Sequence, residues 1–96
     1  MRRTQVQSLA DALTDFLRDS GLEKPILERQ VVELWPQVMG ETVARLTRKV
    51  EVEQGVLKVW LSNAALRAQL FDCRFDLVRK VNEAVKADVI RDVRLM

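Results

Sequence analysis

The strongest constraint on this chain lies between Lys49 and Leu61, where apolar and polar residues alternate on both sides of Gln54-Gly55. Val50 and Val52 alternate with Lys49, Glu51 and Glu53, while Leu57, Val59 and Leu61 alternate with Val56, Lys58 and Trp60. A period of two marks strands with one buried face. A two-residue turn at Gln54-Gly55 sets Val52 opposite Leu57, Val50 opposite Val59 and Arg48 opposite Leu61. On the other face it sets Glu51 opposite Lys58 and Lys49 opposite Trp60. Slipping by one residue mixes the two faces, and slipping by two opposes Lys49 to Lys58, a like-charge pair. The first register is therefore the expected one. A lone hairpin is marginal in water, so the rest of the chain must cover the Val50, Val52, Leu57, Val59, Leu61 face. Trp60 then points outward among Lys49, Glu51, Val56 and Lys58. Its position has three explanations: a cross-strand contact with Lys49, cover from an N-terminal helix, or a platform for a partner or nucleic acid.

The covering elements read as helices. Thr4 and Gln7 fit a capping box, Val6, Leu9, Leu13 and Phe16 recur at helical spacing, and Ser20-Gly21 supplies a stop. Residues 1–22 are thus expected to form a helix packed on the domain. Pro25 suits the first turn of a second helix with Leu27, Val31, Leu34 and Val38 on its buried face. Pro36 lacks an amide hydrogen and crowds the Val32 carbonyl, which predicts a kink or break at Leu34–Trp35. Trp35 reads either as a core anchor that locks this elbow or as a ligand-stacking ring, and Gly40 sits where the turn needs a small residue or positive φ.

After a cap at Ser62 or Asn63, the stripe Leu66, Leu70, Cys73, Leu77, Val81, Ala84 predicts one helix to about Ala87. Phe71 and Phe75 flank that stripe and need a second cover, either the N-terminal helix or a partner protein. Val89, Val93 and Leu95 alternate with Ile90, Asp92, Arg94 and Met96 in a last short strand whose pairing the pattern leaves open. The expected fold is α+β: two N-terminal helices, a β-hairpin, a long helix and a third strand, forming a three-stranded sheet with helices on one face. Residues 1–96 read as a single domain.

Composition narrows the chemistry. The chain has no histidine, so the commonest general base and metal ligand is missing, and one cysteine excludes an internal disulfide or a cysteine-built zinc site. Ser8, Ser20 and Ser62 have no histidine to activate them, and Gly21, Gly40 and Gly55 are too scattered for a phosphate loop. The reading is a non-enzyme without cofactor, metal or small-molecule substrate, in a reducing cytoplasmic setting and without a membrane span. Charge is uneven: residues 1–40 carry five Lys/Arg against six Asp/Glu, and residues 41–96 carry eleven against eight. An anionic partner would meet the second half, where Arg45, Arg48, Lys49, Lys58 and Arg67 supply cations and Trp60 a stacking ring.

The helix–strand–strand–helix–strand order resembles KH domains, although their Gly-x-x-Gly loop is replaced by Asp72-Cys73-Arg74-Phe75, read here as uninterrupted helix. A closer resemblance is carried by Trp35-Pro36-x-x-x-Gly40-x-x-Val43-Ala44-x-x-Thr47. A strand, the Gly55 turn, Val56-Leu57-x-Val59-x-Leu61-Ser62 and Leu66-x-x-x-Leu70 follow it. Together these blocks look like the DciA-like family, as a KH-like domain without the family's flanking extension. The resemblance implies a KH-like fold and a bacterial adaptor that operates or loads the replicative helicase and binds DNA weakly. It places Trp35, Pro36, Gly40, Thr47 and Gly55 in the structural motif. Partner contact would fall to the Phe71/Phe75 flank or the outer hairpin face. The other reading is a protein-interaction or homodimerisation module that binds no nucleic acid.

Overall fold

The structure, a computed structural model, describes Leu9, Asp11 to Leu13, Asp15, Phe16 and residues 21–96. Helix α1 spans Glu23–Met39 and α2 Glu41–Leu46. Strands β1 (Thr47–Glu53) and β2 (Val56–Leu61) follow. Helices α3 (Ala64–Asp72) and α4 (Arg74–Val85) then lead to β3 (Asp92–Leu95). The fold is α+β, with helices against a mixed three-stranded sheet of order β1-β2-β3. The Thr4/Gln7 cap, Val6 and Ser20 lie outside the described residues. Leu9, Leu13 and Phe16 are helical, and each is 58–60% exposed.

The hairpin has the register its alternation requires: Val52 faces Leu57, Val50 faces Val59, Glu51 faces Lys58 and Lys49 faces Trp60. Gln54 and Gly55 both have positive φ, 51° and 77°, as the two centre residues of a type I′ turn must. The expected Arg48–Leu61 pair does not form. Thr47 takes that place, and Arg48 is extruded as a bulge. The reason lies one turn earlier, where the Thr47 hydroxyl is held by α1 and α2, so the strand must absorb an extra residue to keep both anchors.

Helix α1 does not break at Leu34–Trp35. It runs unbroken through Pro36 and stops only at Gly40, whose φ of 89° and ψ of 171° end the helical path. Pro36 lies in the last turn, so it removes a single bond to the Val32 carbonyl and little helix remains beyond it to redirect. Meanwhile Val31 and Trp35, at 0% and 1% exposure, hold that face of α1 in the core. The turn itself is closed by the Gly40 amide donating to the Pro36 carbonyl at 2.9 Å.

The long helix is divided at Cys73 (φ −111°, ψ 24°) without glycine or proline. The two halves serve different neighbours. Helix α3 packs on β2 and β3 through Leu70, whereas α4 packs on α1 and β3 through Leu77 and Val81. One straight helix cannot satisfy both, and the bend lets the stripe change phase: Val85 joins the core margin while Ala84 is exposed. Asn63 supplies the α3 cap, its Oδ1 accepting from the Leu66 amide at 2.8 Å.

Strand β3 runs parallel to β2, pairing Leu57 with Val93 and Val59 with Leu95, and α3–α4 forms the crossover such a pair demands. Its entry is fixed by Asn82, a residue the sequence pattern did not single out. The Asn82 side chain accepts from the amides of Val89 and Ile90 at 3.0 Å each and donates to the Ile90 carbonyl at 2.8 Å. The core thus joins α1 (Val31, Trp35), β2 (Leu57, Val59, Leu61), the crossover (Leu70, Leu77, Val81) and the final segment (Ile90, Val93).

Candidate functional site

The elbow from Trp35 to Thr47 is a structural unit. Trp35 is buried, and its indole Nε1 donates to the Thr47 hydroxyl at 3.1 Å. That hydroxyl donates onward to the Val43 carbonyl at 2.7 Å. The chain of bonds ties α1, α2 and β1 together and satisfies a buried indole N–H that would otherwise be costly. Gly40 allows α1 and α2 to fold back far enough for it. Trp35, Gly40 and Thr47 therefore place the hairpin, Gly55 closes it, and Pro36 lies in the last turn of α1 without a bond of its own to this chain of bonds.

On the outer face of the hairpin the Lys49 ammonium stands 4.9 Å from the centre of the Trp60 ring. This is the cross-strand contact that the register allows, and Trp60 is half-buried. Lys49 also pairs with Glu51 at 3.3 Å, and Lys58 with Glu53 at 2.9 Å. The hydrogen bond and charge of Lys58 hold the Glu53 carboxyl below the ordinary glutamate value of 4.5. Arg45, in the last turn of α2, and Arg48, on the bulge, are exposed and make no ion pair among the described residues. Four cations and one indole thus gather on the hairpin and the end of the helix before it.

Arg67 does not join them. It is half-buried, and its Nη2 donates to the Leu61 carbonyl at 3.1 Å, fixing α3 to the end of β2. Its Nε is buried without a partner. It lines an open groove of about 340 Å³ with Ala64, Ala68 and Phe71 of α3 and Leu95 of β3.

Phe71 and Phe75 are 53% and 69% exposed, so neither the domain nor the described part of the N-terminal segment covers them. The Arg74 guanidinium lies 4.3 Å from one ring centre and 4.6 Å from the other. Arg74 lies outside the apolar stripe, so hydrophobic periodicity does not mark it. The signal was its spacing, three after Phe71 and one before Phe75. Among the described residues no group of three His, Cys, Asp or Glu is placed to hold a metal ion, and no helix is long and apolar enough to cross a membrane.

Fold and site together define a small α+β domain that presents surface cations beside aromatic rings. The chain belongs to the DciA family: the family model described as "Dna[CI] antecedent, DciA" matches residues 8–95. The chain is also similar to the UPF0232 proteins of Mycobacterium tuberculosis and Mycobacterium bovis, 28% identical over 89 residues. That alignment covers 93% of this chain and 48% of each relative, so the chain spans about half the length of the curated relatives it matches. The family is one of helicase loaders and adaptors.

Proposed function

We propose that this domain is a non-enzymatic, cytoplasmic adaptor that binds the bacterial replicative helicase and contacts DNA weakly. The family match over residues 8–95 carries the reading. Two surface features support it. The Phe71–Arg74–Phe75 cluster is an exposed aromatic anchor of the kind buried at protein interfaces. Lys49 over Trp60, with Arg45, Arg48 and Lys58 nearby, offers phosphate contacts beside a stacking surface. We read the topology as KH-like, with the bend at Cys73 standing where KH domains carry their glycine loop.

Co-sedimentation with purified replicative helicase tests the first part, and loss of a complex at every concentration overturns it. Fluorescence anisotropy with single- and double-stranded DNA tests the second. Each phosphate contact contributes about −0.9 (duplex) or about −0.7 (single strand) to the slope of log K against log salt, so a weak binder with few contacts gives a shallow slope. Lys49→Ala with Lys58→Ala should flatten it further. Binding that is absent at low salt, or unaffected by the pair, removes DNA from the proposal.

A second reading, self-association, is favoured by the exposure of Leu9, Leu13 and Phe16 alongside Phe71 and Phe75. Sedimentation velocity that shows a concentration-independent monomer rules it out.

A further inference from the structure

The outer edge of β1 is built to receive another strand. In a hairpin closed by a two-residue turn, the pairs Glu53–Val56, Glu51–Lys58 and Lys49–Trp60 exchange the ladder hydrogen bonds. The N–H and C=O groups of Val50 and Val52 consequently point away from β2, and β1 is an edge strand. No backbone partner for them occurs among the described residues. Their side chains are only half-buried, whereas Leu57 and Val59 opposite them are fully buried, so the core face is unfinished along this edge.

The space beside the edge is a cleft of about 240 Å³ between α1 and β1, bounded by Val32, Trp35 and Pro36 on one side and Arg48, Lys49 and Val50 on the other. Pro36 has no amide hydrogen for the Val32 carbonyl, which leaves a further acceptor without its helical partner on this wall. The charges around the cleft are not balanced. Glu33, Glu51 and Glu53 are each held by a base, Arg29, Lys49 and Lys58 respectively. Arg48 on the bulge has no such partner among the described residues, and Arg45 stands shortly before it.

We propose that this cleft binds an extended acidic peptide of a partner protein, added to β1 as a fourth strand. Its backbone meets Val50 and Val52, its inward apolar residues pack on Val32 and Pro36, and its outward acidic residues face Arg48. A peptide fits better than nucleic acid because the open groups are alternating strand donors and acceptors and the one indole in the cleft, Trp35, is buried. The inference deepens the adaptor reading and rests on it only for the kind of partner.

The test is an amide NMR titration of the full 96-residue chain with a synthetic peptide alternating valine and glutamate. Shifts should concentrate at residues 32–36 and 48–52, and exchange at the Val50 and Val52 amides should slow by about tenfold or more. A peptide with lysine for glutamate should do neither. Val52→Pro removes the outward N–H together with a half-buried side chain and should abolish the protection. Arg48→Glu, a surface change that leaves the backbone alone, should weaken binding if Val52→Pro does not fold. Shifts centred on Phe71 and Phe75, the same protection from a DNA oligonucleotide, or no response at millimolar peptide overturns the proposal. Helicase binding that survives Arg48→Glu and Val52→Pro undiminished overturns this cleft while leaving the helicase reading intact.

Discussion

Trp35 and Thr47 are twelve positions apart, and the sequence marks both as motif residues without saying why. The hydroxyl of Thr47 is at once the acceptor for a buried indole and a donor to the Val43 carbonyl. Thr47→Val keeps the shape and removes both roles, leaving the Trp35 N–H unsatisfied. It should cost about 1–3 kcal/mol in urea unfolding. A change below about 0.5 kcal/mol, the range of an ordinary surface substitution, contradicts a structural role for the bond chain. The charge pair on the hairpin gives a second test at this scale. Because the folded Glu53 carboxyl titrates below its ordinary value, its contribution is present above that value and is lost as pH falls through the lowered one. Lys58→Met should return the Glu53 midpoint, followed by carboxyl NMR, toward the ordinary range. An unmoved midpoint would assign the shift to something other than Lys58.

At the scale of elements, the hairpin was legible because only even slips keep Val50, Val52, Leu57 and Val59 on one face, and a slip of two opposes Lys49 to Lys58. The departures arise where long-range anchors act. Arg48 bulges because Thr47 is tied to α1, α1 survives Pro36 because Val31 and Trp35 are buried, and Cys73 bends because α3 and α4 answer to different neighbours. Local propensity does not report such constraints. Gly40 is the exception, since its need was legible and its conformation is specific. At φ 89° and ψ 171° it occupies a region essentially reserved for glycine, and a Cβ there meets no atom within 4 Å. Gly40→Ala should therefore destabilise by about 1–3 kcal/mol through backbone strain alone. Gly40→Asn should not rescue it, because asparagine tolerates the left-handed helical region and not this one. Equal thermal stability of wild type and both variants contradicts this account.

Across the whole molecule, the α+β layout follows from the order of periodic segments, but the place of β3 does not. Its parallel pairing with β2 depends on the crossover and on the Asn82 bonds that fix its entry, neither of which has a local signature. The candidate surface was legible on the hairpin and at Phe71 and Phe75, but not at Arg74, a charged residue off the apolar stripe that lies over both rings. Helices α3 and α4 each divide into a buried and an exposed face. Leu70, Leu77 and Val81 hold the core, while the two phenylalanines face water and contribute little to it. Phe71→Ser with Phe75→Ser should leave urea stability within about 1 kcal/mol, near the sum of two ordinary surface substitutions. If these rings anchor the helicase, the same pair should weaken co-sedimentation by tenfold or more, about 1.4 kcal/mol or greater. Full helicase binding by this variant places the contact elsewhere, and a large loss of stability shows that the rings belong to the fold.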